Sequence, residues 1–263
     1  MSSILRSFRV FDPSNYANTI SSQDALLWVS ASPSLKHFDL PLLKILNKNY
    51  AIARWEYQQS SDEASSLVEA VNLLVDYLKQ CDRPIHLAGH GISGVVAMYA
   101  AERVPEFVKT LTLLAVAPES GLTWHAHYYL QRFATPCSQA RVLAQFSREL
   151  FGSSPHSIKT LVNLLEKDLA SSPSPHSLYK IAKLDSPMLQ VPLLLCGGEL
   201  DCIVSPQVMQ ACTASMKSDD RLVSLPDGRH FFHYHFPNQV AIEMTQFLSQ
   251  KTALLIPVYS ILN

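Results

Sequence analysis

Short apolar runs alternate with longer amphipathic stretches along most of the chain. Six runs rich in aliphatic residues have the length of buried strands: 25–29, 50–57, 85–88, 108–116, 191–196 and 221–225. Between or after them, helical spacing predicts helices: 40–46, 63–80, 207–217 and 237–250. Ser61 or Asp62 is the expected N-cap of the second helix. Strands that alternate with helices in this way predict a doubly wound, mostly parallel α/β sheet.

The alternation stops between the fourth and fifth strands. From about residue 117 to residue 189 the pattern is helical, with helices predicted over 124–133, 138–151, 157–169 and 176–183. The chain therefore divides into an α/β core made of 1–116 and 190–263 and a helical insertion, 117–189. The alternating residues 4–11 also predict an edge strand at the beginning of the core.

The third strand, 85–88, leads directly into a glycine-rich turn. Gly89, His90, Gly91, Ile92, Ser93 and Gly94 follow it, and small and apolar residues of helical character come next. This strand–turn–helix resembles the nucleophile elbow of α/β-hydrolases, in which G-x-S-x-G exposes a serine above the sheet. In the family's G-H-S-x-G-G version, Gly89, His90 and Gly94 match, but Gly91 stands at the nucleophile position. A register with Ser93 as nucleophile moves the hydroxyl two residues into the helix.

The C-terminal third matches the same family in two further motifs. Gly198 and Asp201 fit the G-x-x-D that follows the fifth strand and carries the triad's acid, and Gly228 and His230 fit the loop that carries the catalytic histidine. The order of elbow, acid and histidine is that of the family. The resemblance covers about residues 25–250 and implies an α/β-hydrolase fold, with the helical insertion as a cap and Asp201 and His230 as a retained pair. At the elbow the chain also resembles the N-myc downstream-regulated proteins, which likewise lack the serine.

The loop after the first strand differs from the family pattern. α/β-Hydrolases usually have His-Gly there, and an N–H of this loop joins the N–H after the nucleophile in an oxyanion hole. Here the loop reads Ser30-Ala31-Ser32-Pro33, and Ile92 follows Gly91. Two interpretations stay open: the hole is lost, or Ser30, Ala31 or Ser32 supplies the same backbone donor.

Composition narrows the list of partners. The chain of 263 residues is 48% hydrophobic and 16% charged, with a formal charge of −1, so neither nucleic acid nor an anionic membrane surface is an expected partner. No stretch has transmembrane length and the first residues lack a signal-peptide pattern, so a cytoplasmic protein is expected. Five cysteines without C-x-x-C spacing are expected to be free thiols. His230, His233 and His235 lack converging carboxylates or cysteines, so no metal or other cofactor is predicted.

Two segments offer binding surfaces. Trp124, His125 and Tyr128 belong to an aromatic cluster on the first insertion helix, which predicts either the lining of a small apolar or aromatic ligand site or packing against the core. The apolar tail 253–263 is expected to add an edge strand or to dock on a protein partner or a second copy.

Three functional hypotheses follow from a retained Asp–His pair without its serine. The first is a ligand-binding or regulatory protein that does not hydrolyse esters. The second is an enzyme in which His230 and Asp201 act as a general base without a covalent intermediate, as a lyase, cofactor-free oxygenase or water-activated hydrolase. The third is an esterase-like hydrolase with a substitute nucleophile, for which the candidates are Ser93, Ser30, Ser32 and Cys202.

Overall fold

The sheet of this protein is parallel throughout its described part. The computed structural model describes residues 25–59, 64–117 and 121–253. Its six strands are hydrogen-bonded in the order β2-β1-β3-β4-β5-β6. Their bounds are β1 Ala25–Ser30, β2 Ala51–Glu56, β3 Ile85–His90, β4 Val108–Leu114, β5 Leu193–Gly198 and β6 Arg221–Leu225. The predicted doubly wound, mostly parallel α/β architecture is thereby confirmed.

Helices cover both faces of this sheet. They are α1 Leu40–Leu46, α2 Leu67–Leu78, α3 Gly91–Arg103, α4 Trp124–Ala134, α5 Gln139–Phe151, α6 Ile158–Ser171, α7 Pro206–Ala211, α8 Phe232–His235 and α9 Pro237–Ala253. Alternation along β1 divides the core, because Leu27 and Val29 pack with α2 and α3 while Leu26 and Trp28 pack with α1 and α9. A strand buried on both faces needs the continuous apolar sequence that β1 has.

Three helices, α4 to α6, lie between β4 and β5, where the helical insertion was predicted. Each begins at a side-chain cap: Thr123, Ser138 and Ser157 accept a hydrogen bond from a backbone N–H three residues on. The fourth predicted helix, 176–183, does not form. Its residues make a short turn closed by a bridge between Ser177 and Lys180, and Tyr179 is almost fully exposed. The apolar spacing there has no surface to pack against, so propensity alone does not hold a helix.

Two other helix predictions differ from the structure. α2 begins after Ser66, whose hydroxyl accepts from the Glu69 N–H, so neither Ser61 nor Asp62 is its cap. The predicted helix 207–217 is divided into α7 and a 3₁₀ turn, Cys212–Ser215. The predicted strand 4–11 and the tail beyond Ala253 lie outside the described residues.

Candidate active site at the carboxyl edge of the sheet

The turn between β3 and α3 places Gly91 at the carboxyl edge of the sheet. β3 ends at His90 and α3 begins at the next residue, with Gly91 at a φ of +52°. A Cβ on Gly89 would lie 2.8 Å from the Gly94 nitrogen, and one on Gly94 would lie 2.5 Å from Cγ2 of Val116. Only glycines allow this close approach of strand and helix. The chain thus makes the sharp turn that the sequence predicted.

His230 and Asp201 meet beside this turn. Nδ1 of His230 lies 3.0 Å from Oδ2 of Asp201, and both side chains are buried. The other carboxylate oxygen accepts hydrogen bonds from the backbone N–H groups of Ile203 and Val204 at 2.8 and 3.1 Å. Burial by itself raises the pKa of Asp201, but His230 and these two amides outweigh it and hold the pKa below its usual value. An ionised Asp201 fixes the orientation of the imidazole.

The second ring nitrogen of His230 faces Gly91. A Cβ built on Gly91 would lie 3.7 Å from Nε2 of His230. A serine there would therefore bring its hydroxyl within reach of the imidazole. In this chain the position carries no side chain, and the pair has no nucleophile at its end.

A small cavity lies at this point. Its volume, counted over the positions open to the centre of a water molecule, is about 20 Å³, which is room for one water. Of the predicted site residues, those that line it are Ser30, Ser32, Gly91, Ile92, Trp124 and His230. The remaining wall includes Trp28, Lys36, Asp39, His90, Ser93 and Phe231. Polar groups from the core and an indole from the helical insertion thus meet around the turn.

Four predicted site residues do not line this cavity: Asp201, which is bonded to His230, and also Ala31, His125 and Tyr128. The Ala31 N–H donates to Oγ of Ser93 at 2.8 Å, so this amide is directed into the protein. His125 is fully buried and lies 3.0 Å from Asp168, and Tyr128 packs near Phe146. Successive helical residues point in different directions, so of the predicted aromatic cluster on α4 only Trp124 reaches the cavity.

Comparison with known proteins agrees with this geometry. The family model described as alpha/beta hydrolase family matches residues 34–243. The chain belongs to the alpha/beta hydrolase family. It is 44% identical over 223 residues to an uncharacterized protein of Nostoc sp. strain PCC 7120, a match that covers 84% of this chain and 89% of the relative. An uncharacterized protein of Synechocystis sp. strain PCC 6803 is 39% identical over the same coverage.

Solved structures are similar to this chain in fold, at low sequence identity. A membrane phospholipase A described as a bacterial virulence factor superposes with a TM-score of 0.68, at 16% identity, over 87% of this chain and 79% of that chain. None of the helices in the described part of this alpha/beta hydrolase family member combines the length and hydropathy of a membrane span.

Of the residues proposed as substitutes for the family's serine, Ser30, Ser32 and Ser93 line the same cavity as Gly91, whereas Cys202 does not. Oγ of Ser93 is buried and accepts the Ala31 amide. Ser30 is also buried. Partial burial and the charge of Asp201 raise the pKa of Cys202 to about 11, so its thiol is protonated at neutral pH.

A second carboxylate–histidine pair, which the sequence analysis did not single out, lies beside the first. Asp39 Oδ1 is 3.1 Å from Nε2 of His233, and Asp39 Oδ2 accepts from the indole N–H of Trp28 at 2.9 Å. The His233 ring packs against His90 with centroids 4.3 Å apart, and Nε2 of His90 donates to the His230 carbonyl at 2.9 Å. The one sequence signal was an aspartate in the otherwise apolar stretch 38–43.

Burial dominates the electrostatics of this second pair. It raises the pKa of Asp39 to about 6 and, together with neighbouring His230 and His235, lowers that of His233 to about 3. The pKa of His90 is also well below its usual value, because of burial and then the nearby His233 and His230. His230 and His233 thus each bind a different aspartate. Across the described ranges, no three His, Cys, Asp or Glu side chains gather in an arrangement that suits a metal ion.

Proposed function

We propose that this protein is a non-hydrolytic member of its family that binds a small ligand in the cavity beside Gly91. The observation that carries the proposal is the turn itself: Gly91 and His230 line a water-sized space where acyl transfer needs a nucleophile. The indole of Trp124 and the ring of Phe231 in the wall offer contact area to an apolar part of the ligand.

The helical insertion serves as a cap in this proposal. Trp124 supports the role of the insertion as a cap, because this residue of α4 lines a cavity whose other lining residues belong to the α/β core. A ligand larger than a water needs this wall to move, so α4 controls what enters. A cytoplasmic location belongs to the same proposal and is supported by the five free cysteines.

Intact mass after exposure to a fluorophosphonate tests the proposal. The native chain is expected to stay unmodified, because Oγ of Ser93 is bonded to the Ala31 N–H and Cys202 is a protonated thiol. The Gly91→Ser variant is expected to gain one adduct, since the new hydroxyl lies beside the oriented imidazole. The double variant Gly91→Ser/His230→Ala is the matched control and should react far more slowly. An adduct on the native chain would refute the proposal, and peptide mapping would identify the substitute nucleophile.

General-base chemistry is the second candidate, and one observation favours it. The Asp201–His230 pair is complete, and the cavity that His230 lines has room for one water. A histidine oriented in this way activates water without a covalent intermediate, which contributes on the order of 10²–10⁴-fold in rate. Hydrolysis of p-nitrophenyl acetate by the native chain, compared with His230→Ala, tests this candidate. Equal rates in the two proteins would exclude it for activated esters.

A further inference from the structure

Asp39 places a carboxylate in the wall of the cavity, and the proposed function does not yet use it. The residue ends the 3₁₀ turn Lys36–Asp39, is 7% exposed and lines the same space as Gly91 and His230. It arrives there from a part of the chain that carries none of the family motifs. The cavity therefore has two carboxylate–histidine pairs in or behind its wall.

The two oxygens of Asp39 retain acceptor capacity. Within the described ranges each has one protein donor at hydrogen-bond distance, Nε1 of Trp28 at 2.9 Å and Nε2 of His233 at 3.1 Å. A carboxylate has about four lone-pair sites, so about two remain after these bonds. Because Asp39 is part of the cavity wall, a molecule in the cavity is the available donor for them.

Among the described residues, no cation lies in direct contact with the carboxylate of Asp39. His233 is its ion-pair partner by distance, but the low pKa of His233 makes this residue a neutral donor. Lys36, also in the cavity wall, lies 2.9 Å from Glu56, and Arg54 lies 3.7 Å from the same carboxylate.

Other charged or titratable groups act on Asp39 from further away. Arg54, His90 and His37 lower its pKa, but burial outweighs them and the pKa remains raised at about 6. His90 is itself neutral, because burial keeps its pKa well below the usual value.

A purely structural role would not need this charge. An asparagine at residue 39 can accept from Trp28 through its carbonyl and donate to Nε2 of His233 through its amide, with the imidazole proton moved to Nδ1. Nδ1 of His233 is buried and has no partner in the described part of the chain, so the tautomer change breaks no existing bond. The ionised carboxylate thus supplies something that hydrogen bonding inside the protein does not require.

We infer that Asp39 is a ligand-binding residue whose carboxylate accepts a hydrogen bond from a hydroxyl group of a small neutral ligand, while the ligand's other end lies at Gly91 and His230. A neutral donor fits better than a cation, because Lys36 lies in the same cavity wall and the charge of Arg54 also acts on Asp39. The inference rests on the proposed ligand-binding function and names the class of ligand for it.

Two small probes test the inference: ethylene glycol, which carries hydroxyl donors, and acetone, which carries an acceptor only. The indole N–H of Trp28 reports on Asp39 directly, and the indole of Trp55, which is outside the cavity wall, is the internal reference in a two-dimensional NMR titration. At pH 7.5 ethylene glycol is expected to shift the Trp28 signal at lower concentration than acetone. In Asp39→Asn the dissociation constant for ethylene glycol should rise about tenfold, the difference between a charged and a neutral acceptor.

A matched control and a second measurement guard against misfolding. Glu243→Gln removes a surface carboxylate paired with Arg221 and should leave the probe titrations unchanged. The second measurement uses a His230→Gln variant, which removes an ionisable imidazole from the cavity wall. In this variant, lowering the pH from 7.5 to 5 should strengthen the acetone binding detected at Trp28, because the protonated carboxyl of Asp39 can donate a hydrogen bond to the acetone oxygen.

Two results would overturn the inference. They are unchanged ethylene glycol binding in Asp39→Asn and acetone binding that does not respond to pH. The outcome is separable from that of the proposed function. Labelling of the native chain by fluorophosphonate, together with an Asp39-dependent Trp28 shift, would remove the non-hydrolytic proposal and leave the role of Asp39.

Discussion

Replacing Asp39 by asparagine should stabilise the protein at neutral pH. Asp39 is buried with no cation of the described residues in direct contact, and burial raises its pKa from 3.8 to about 6. Because its pKa in the folded state lies above that in the unfolded state, its ionisation opposes folding. The stability that the protonated form contributes is fully present below pH 3.8 and is lost as the pH rises through about 6.

The magnitude follows from the size of that pKa shift. One pKa unit corresponds to about 1.36 kcal/mol, so a rise from 3.8 to about 6 corresponds to about 3 kcal/mol at pH 7.5. Asparagine remains neutral and keeps acceptor and donor for Trp28 and His233. The free energy of unfolding of Asp39→Asn should therefore exceed that of the native chain by about 1 to 3 kcal/mol at pH 7.5 and equal it near pH 4.

Urea unfolding at a series of pH values between 4 and 8 measures this difference, followed by far-UV circular dichroism. Glu243→Gln serves as the matched carboxylate-to-amide change at the surface, and its difference from the native chain should stay small across the series. A variant at residue 39 that is less stable than the native chain at pH 7.5 would refute the reasoning, because the carboxylate would then be stabilising the fold. Substitutions that stabilise a protein while weakening its function are typical of binding and catalytic positions.

Three further predictions concern the turn, the first pair and Cys202. Gly94→Ala should lower the free energy of unfolding by about 1 to 3 kcal/mol, because its Cβ would overpack against Val116. Gly121→Ala is the control and should change the free energy little, since the nearest described atom to its Cβ would be 3.7 Å away. Equal urea midpoints of the two variants would contradict the prediction. Asp201 has a lower pKa in the folded protein than in the unfolded chain, so its ionised form stabilises the fold above the unfolded pKa. This stabilisation is lost as the pH falls through the folded pKa. The free energy of unfolding of Asp201→Asn should therefore be lower than that of the native chain at pH 7, and the difference should shrink in acid. The same change in the Gly91→Ser background should slow fluorophosphonate labelling, measured by intact mass. Alkylation of Cys202 by iodoacetamide should rise about tenfold per pH unit up to about pH 11, with Cys202→Ser as the control for the other thiols.

The meeting of Asp201 and His230 followed from the sequence because it depends on topology. Asp201 comes three residues after the end of β5 and His230 five residues after the end of β6. These strands are parallel neighbours, so their carboxyl ends lie at the same edge of the sheet. The strand pattern and the order of the motifs were sufficient to bring residues 29 positions apart into contact.

The contact between Asp39 and His233 could not be predicted in the same way. These residues are 194 positions apart, and each lies in a short turn-like element rather than at the end of a strand. The sequence pattern of such short elements does not show which way each side chain points, so it cannot indicate that Asp39 and His233 face each other. The sequence also did not determine which side of α4 faces the cavity. In the structure Trp124 reaches the cavity, while His125 contacts Asp168 and Ser172 instead. Side-chain direction in such elements is decided by packing that a single sequence does not display.

The two pairs differ in what holds their charge, and this difference bears on what the site does. Asp201 is ionised because His230 and two backbone amides stabilise its carboxylate, an arrangement that exists in the fold whether or not a ligand is bound. In the part of the chain that the structure describes, Asp39 has neither a backbone amide nor a cation in direct contact, so its ionised form depends on what the cavity supplies. A hydroxyl donor bound there would lower the pKa of Asp39 and return part of the lost stability, since a ligand that binds the ionised form favours it. Binding by this protein should therefore release a proton near pH 6, which calorimetry in buffers of different ionisation enthalpy would detect as a buffer-dependent heat.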